Sequence, residues 1–322
     1  MNEPLTISVV ICAYTLDRWD DLSRAVASVR SQTRPALETI LVIDHNPELK
    51  ERAESELLGT TVVENTGRRG LSDARNSGVR ASSGSVVAFL DDDAAAAADW
   101  LAQLAAAYAR DEVIGVGGSA EPAWDTGRPV WFPAEFDWVV GCSYRGMPTR
   151  RAPVRNPLGC NMSFRRAAFQ IAGDFNPMVG RVGTVPVGCE ETEFCIRLAR
   201  LAPGSQLMYE PAARVTHRVP AARATWRYFR ARCVSEGVSK AIVSDLAGSE
   251  QALASERRYA LWTLPTGVLG TLGRGLVERD PTAATRASAI VGGLLFTAAG
   301  YLSRRVRRGG PRQGSASRRA IS

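Results

Sequence analysis

No C-x-x-C pair occurs among the six cysteines, Cys12, Cys142, Cys160, Cys189, Cys195 and Cys233. They are therefore expected to be reduced, mostly buried thiols of a cytoplasmic protein. Histidine is scarce, with only His45 and His217. An uninterrupted apolar run of about twenty residues, the length of a comfortable bilayer span, is missing. The two longest candidates fall short: Tyr259–Leu276 is broken by Pro265 and several glycines, and Ala287–Leu302 has sixteen residues. MNEPLTISVV shows no signal-peptide pattern and is expected to pass straight into a strand. Repeats and collagen-like periodicity are also absent, and the ordinary composition excludes a globally disordered chain.

Acidic residues are missing from one region in particular. Seven arginines (Arg304, Arg305, Arg307, Arg308, Arg312, Arg318 and Arg319) stand there without an acid and account for the whole net charge of +7. The rest of the chain is close to neutral, so no nucleic-acid partner is expected. The basic tail follows an apolar run, which suits it to lipid headgroups.

What is present is a chain of 322 residues, 45% hydrophobic, able to bury a large core. Apolar runs at Ile7–Ala13, Thr39–Asp44, Thr60–Glu64, Ser85–Leu90 and Val113–Gly117 alternate with helical patterns. This alternation predicts an α/β fold, doubly wound, with a mostly parallel sheet and helices on both faces. Ligands bind such sheets beyond the carboxyl ends of the strands. From Glu121 to Arg155 the period is lost and Trp131, Trp138 and Tyr144 appear; these can stack on a ligand or pack the segment. Further strands are expected at Gly159–Arg166 and Gln206–Tyr209, with a helix over Glu190–Arg200. Beyond Thr225 the chain reads as helical. Its apolar pair can be a core pair, an interfacial hairpin or a short membrane-spanning pair, with the interfacial reading preferred.

Asp91, Asp92 and Asp93 directly follow the strand SVVAFL. Adjacent carboxylates repel one another unless a cation relieves them, and they are hard ligands for Mn²⁺ or Mg²⁺. The plain alternative is an acidic turn capping a helix over Ala94–Arg110. Upstream, Gly70–Gly78 is a glycine-bounded entry to a helix that would offer Arg75 to an anion. Asp44 ends another strand on the same edge. Together, Asp44, Arg75, Asp91 and Asp93 form a plausible bed for a nucleoside diphosphate and a metal.

ISVVICAYT, VID and GLSDARNSGVRASSGSVVAFLDDD, followed by LGCNMSFRR, CEETEFCIRLAR and MYEPAARVTHRV, resemble family-2 glycosyltransferases of the GT-A fold. The resemblance runs in order from Ile7 to Val219. It implies an inverting enzyme that moves one sugar from a nucleotide-sugar donor, commonly a UDP-sugar, to a glycan or lipid-linked acceptor in cell-envelope glycan synthesis. By the same resemblance Asp44 would recognise the base, with Arg75 and Asp92 on the donor side. Asp91 would serve ribose or metal, Asp93 the metal, and His217 would complete the metal site. Asn161 and Trp138 are expected on the acceptor side. Glu190-Glu191-Thr192-Glu193 stands where the family carries its base; the second acid is usually aspartate, which leaves the role between Glu191, preferred, and Glu190. A carboxylate there can take the acceptor proton as inversion proceeds. Glu193 is expected to pair with Arg197 one turn on.

The resemblance marks a transferase domain over 1–222, with a donor half to about 120; beyond it the composition predicts a helical apolar region over 223–302 and a disordered basic tail over 303–322. The apolar pair and the arginine tail are expected to hold the protein at the inner face of the membrane, with peripheral contact through 259–319. Arg227, Arg230 and Arg232 are available to an acceptor phosphate, to headgroups or simply to water. A processive synthase would carry a Q-x-x-R-W segment, and none occurs. A non-catalytic relative would have lost the acids, and all are present. The glycine- and lysine-rich loop of a nucleotidyltransferase is missing after the first strand.

Overall fold

The computed structural model describes residues 5–178, 188–247 and 254–309. Valine- and isoleucine-rich runs favour extended chain because branched side chains pack well on a pleated surface. They form β1 (Ile7–Ala13), β2 (Glu38–Ile43), β3 (Thr61–Glu64) and β4 (Val86–Asp91). The connecting helices are α1 (Trp19–Arg30), α2 (Pro47–Glu56) and α3 (Leu71–Ala81). α2 starts where Asn46 accepts from the Leu49 amide and proline fills the first turn, the usual chemistry of a helix start. α3 lies so close to the sheet that a Cβ at Gly78 would overlap Val10.

These four strands pair in parallel in the order β3-β2-β1-β4, with Cys12 opposite Asp91. Their carboxyl ends therefore share one edge. The chain continues through β5 (Ala94–Ala96), α4 (Trp100–Ala107), β6 (Val113–Trp124), β7 (Ala152–Pro153), β8 (Asn161–Arg165) and α5 (Arg166–Ala172). α6 (Glu190–Leu201) and β9 (Gln206–Val219) follow. β8 inserts antiparallel between β4 and β6, β6 runs parallel to β9, and β5 and β7 pair antiparallel with β9. The result is a mixed sheet, parallel through its first four strands, as the α/β expectation required.

Two apolar layers cover the faces of the sheet. Ile11, Leu41, Trp100 and Leu104 mark one, and Phe89, Phe164, Phe175 and Phe194 mark the other. The aperiodic segment forms a third cluster, in which Phe132, Phe136 and Val139 meet Phe229, Leu264 and Ile290 of the helical region. That region comprises α7 (Trp226–Ala247), α8 (Ala254–Arg258), a π-helical turn (Tyr259–Thr263), α9 (Leu264–Glu278) and α10 (Ala283–Gly309). α7 and α10 cross backbone against backbone: a Cβ on Gly237 would strike the Thr297 carbonyl, and one on Gly300 the Val234 carbonyl.

Three boundaries differ from the sequence reading. The alanines after Asp93 begin as strand β5 because they pair with β9, and helix starts only at Trp100. β6 and β9 are longer than their apolar cores, since their outer halves pair with each other. α10 continues through Arg304 and Arg305 to Gly309, so the basic tail begins as helix; Arg312, Arg318 and Arg319 lie outside the described residues. Among those residues, Ala283–Val306 is the one helix long and apolar enough to cross a membrane, with a third of it buried.

Candidate active site

β4 ends at Asp91, the chain turns through Asp92 and Asp93, and β5 then pairs with β9 so that Ala94 lies opposite His217. That register brings His217 Nε2 to 3.1 Å from Asp93 Oδ1. One ligand atom each from Asp91, Asp93 and His217 lies within 4.8 Å of the others. Two carboxylates and an imidazole form a donor set suited to a divalent cation. Two atoms in the same cluster, Asp92 Oδ2 and His217 Nδ1, are buried without a hydrogen-bond partner among the described residues. Such groups cost roughly 1–3 kcal/mol each when nothing satisfies them. These residues fit a bound Mn²⁺ or Mg²⁺.

The cluster already gathers positive charge. Arg18 lies 2.9 Å from Asp92 and 3.3 Å from Asp93, and Arg223 lies 3.3 Å from Asp93. Burial pushes Asp93 up, but His217, Arg223 and Arg18 outweigh it and hold the carboxyl far below its usual range. Burial pulls His217 down, and Asp93 more than reverses this, holding the imidazole at about 10. Asp92 behaves differently: burial and then the Asp93 charge push it up to about 7, against Arg18. Asp92 thus faces Arg18 inside the fold and not a donor surface, contrary to the sequence expectation.

Arg75 also has a different position from the one expected. Its guanidinium is 2% exposed and lies near the Phe89 and Phe175 rings. It donates to Glu190 Oε1 at 2.5 Å, Asp91 Oδ1 at 3.2 Å and the Gly159 carbonyl at 3.0 Å. Burial opposes its charge, but Glu190 and Asp91 hold the pKa above its ordinary value. With its donors committed inside the fold, Arg75 braces the end of β4 against the start of α6 and does not face an anion.

This brace separates the two candidate bases. Glu190 is tied to Arg75, whereas Glu191 is half-buried and accepts from the Thr192 hydroxyl at 3.2 Å. Burial, then the Glu190 charge, pushes Glu191 up to about 8 despite Arg75. Glu193 pairs with Arg197 at 2.9 Å, as its spacing suggested.

Asp44 ends β2 as expected, and its carboxylate organises the neighbouring loop. Oδ1 accepts from Asn65 at 2.7 Å and faces His45 Nδ1 at 2.9 Å, while Oδ2 accepts from the Gly70 amide at 2.9 Å. Asn161 does not lie on an acceptor surface. It is fully buried, accepts from Trp100 Nε1 and donates to the Ser119 and Ala213 carbonyls, each at 2.8 Å. Trp138 packs beside Phe136 and donates to the Tyr259 hydroxyl, and Trp131 and Tyr144 likewise contact other rings. These aromatics join the helical region to the sheet. Arg18 and Arg223 were missed by the sequence reading. Their available signal was position, one just past β1 and the other just past β9, at the edge where Asp91 ends.

Comparison with known proteins shows the family and the fold. Residues 8–171 match the pattern described as glycosyl transferase family 2. The chain is 33% identical over 299 residues to the glucosyl-dolichyl phosphate glucuronosyltransferase of Haloferax volcanii, covering 92% of this chain and 94% of the relative. Succinoglycan biosynthesis protein ExoM of Rhizobium meliloti is 25% identical over 243 residues, 73% of this chain and 74% of its own length. Among solved structures, the mannosyltransferase PcManGT from Pyrobaculum calidifontis, in complex with GDP-Man and Mn²⁺, gives a TM-score of 0.54. That match covers 90% of this chain and 86% of the other at 18% identity, and shows the shared fold.

Proposed function

The chain belongs to glycosyltransferase family 2, and from that premise we propose that it adds one sugar, with inversion, to a lipid-linked acceptor at the inner face of the cell membrane. The donor is a nucleoside-diphosphate sugar, with UDP as the first nucleotide to try, and the product belongs to cell-envelope glycan synthesis. The observation that carries this reading is the convergence of Asp91, Asp93 and His217 at a strand edge linked through Arg75 to Glu190 and Glu191.

In this reading Asp91, Asp93 and His217 hold Mn²⁺ or Mg²⁺, the imidazole favouring Mn²⁺. The chemistry supplied there is neutralisation of the charge that grows on the leaving diphosphate. Asp44 faces the nucleoside. Glu191 takes the proton from the acceptor hydroxyl as it attacks the anomeric carbon from the opposite face. Glu190 cannot readily do so while its carboxylate is engaged by Arg75. Arg75 is a positioning residue that keeps the base and the metal-binding acids in register.

The lipid-linked acceptor is supported by the helical region. Of nineteen large hydrophobic side chains exposed among the described residues, eleven fall between Leu261 and Val306. An apolar surface of this kind marks a membrane or partner contact. The Haloferax relative acts on a glucosyl-dolichyl phosphate. The test is a panel of nucleotide sugars with Mn²⁺, scored by thermal stabilisation and then by transfer to lipid-linked and soluble acceptors. Transfer to soluble sugars alone, from protein that ignores vesicles, would reject the lipid-linked reading.

A further inference from the structure

Beside the start of α6 lies a second group of buried charges that the transfer chemistry does not use. α7 presents Arg232, Glu236 and Lys240 one turn apart on one face, Arg155 arrives just after β7, and Glu256 comes from α8. Lys240 lies 3.1 Å from Glu236 and 2.7 Å from Glu256. Arg155 lies 2.7 Å from Glu256, and Arg232 lies 3.7 Å from Glu236. All five side chains are between 10% and 23% exposed, so the group is largely sheltered from water. It borders the helix that carries the candidate base: Cys189, the residue before α6, directs its thiol to Glu236 at 3.8 Å.

We propose that Arg155 and Lys240 are the binding site for the phosphate that joins the acceptor sugar to its lipid, with Glu256 holding that place until the phosphate arrives. The proposal rests on the lipid-linked reading above. The Glu256 carboxylate bridges two cations, accepting from Arg155 through Oε2 and from Lys240 through Oε1. Two phosphate oxygens can make the same pair of charge-assisted bonds. Replacing the Glu256 carboxylate by a phosphodiester exchanges one negative charge for another against Arg155 and Lys240. Lys240 ties this point to Glu236, which meets the thiol of Cys189 just before α6, the helix that carries Glu191. Glu256 also sits on a five-residue helix that leads directly into the exposed apolar helices. The segment that brings the lipid is therefore joined to the carboxylate that must yield.

The experiment measures binding to the full-length protein in detergent by intrinsic tryptophan fluorescence. One probe is glucose joined to a short isoprenoid through a phosphodiester, and the other is dodecyl glucoside, which has no phosphate. Wild type should prefer the phosphodiester by about tenfold or more. Lys240→Met and Arg155→Gln should each remove most of that preference and leave the Kd for dodecyl glucoside unchanged. Glu256→Gln, which removes the competing charge, should tighten the phosphodiester alone by about threefold. Retained stabilisation by a nucleotide sugar with Mn²⁺ reports that each variant is folded; if the cation variants fail that control, Glu256→Gln decides. Equal weakening of both probes, or no change in either, would mean that the group is only a brace between α7 and α8. Wild type binding both probes equally overturns the phosphate site but not the lipid-linked reading, whereas binding neither overturns both.

Discussion

Among the described residues, polar atoms at the strand edge lie inside the protein without hydrogen-bond partners, whereas apolar side chains along α9 and α10 lie exposed. Asp92 Oδ2 and His217 Nδ1 represent the first condition, and Leu269, Leu276, Val277 and Leu295 the second. Both leave free energy to be recovered by binding, and in opposite chemical terms. A buried unsatisfied polar group calls for charge or a hydrogen bond, while an exposed apolar stripe calls for hydrocarbon. Under the proposed function, the first would meet the charged donor and the second the lipid of the acceptor.

The largest effect should come from emptying the polar side. Asp93→Ala should lower transfer by about a thousandfold or more and remove Mn²⁺-dependent stabilisation by nucleotide sugar; full turnover in EDTA would break the comparison. Glu191→Gln should lower kcat by about 10²–10⁴-fold while stabilisation by donor and metal persists, and unchanged kcat would dismiss Glu191 as the base. A pH profile tests the same side more gently. Glu191, pushed up to about 8, serves as a base only when ionised, so kcat/KM should fall as the pH falls through that value. The expected loss is about tenfold per unit on the acidic limb. The stability linkage has the same origin and the opposite sense: the raised pKa favours the fold at low pH, and that contribution is lost as pH rises from 4.5 to about 8. The smallest effect belongs to the apolar side. Leu276→Asp with Leu295→Asp should reduce flotation with anionic vesicles by about tenfold or more, at ~1.5–3 kcal/mol per buried leucine, with donor stabilisation unchanged.

The four parallel strands were legible because hydrophobic runs and breakers are local signals. So were Asp91, Asp93 and His217, since strand ends and motif order place them without knowledge of packing. Ala94–Ala96 was misread because alanine is the best helix former, and the pairing with β9 that overrides it depends on a segment far along the chain. Arg75 looked like an anion ligand because a glycine-bounded helix start is one. Its partners Glu190 and Gly159 come from distant segments, so its bracing position is a tertiary fact. Asn161 is put on the acceptor side by motif resemblance, yet it satisfies Trp100, Ser119 and Ala213 inside the core, partners that come from distant segments. Arg18 and Arg223 were silent for the same reason as Arg75.

The glycine crossing of α7 and α10 has a geometrical consequence. A joint made of two backbones has no rotamers to rearrange, so the direction in which α10 leaves the catalytic sheet is fixed by the main chain. On whatever surface that helix rests, the mouth of the site is held at one height and one tilt above it. Under the proposed function, reach as well as affinity would then select which acceptors can present a hydroxyl to Glu191.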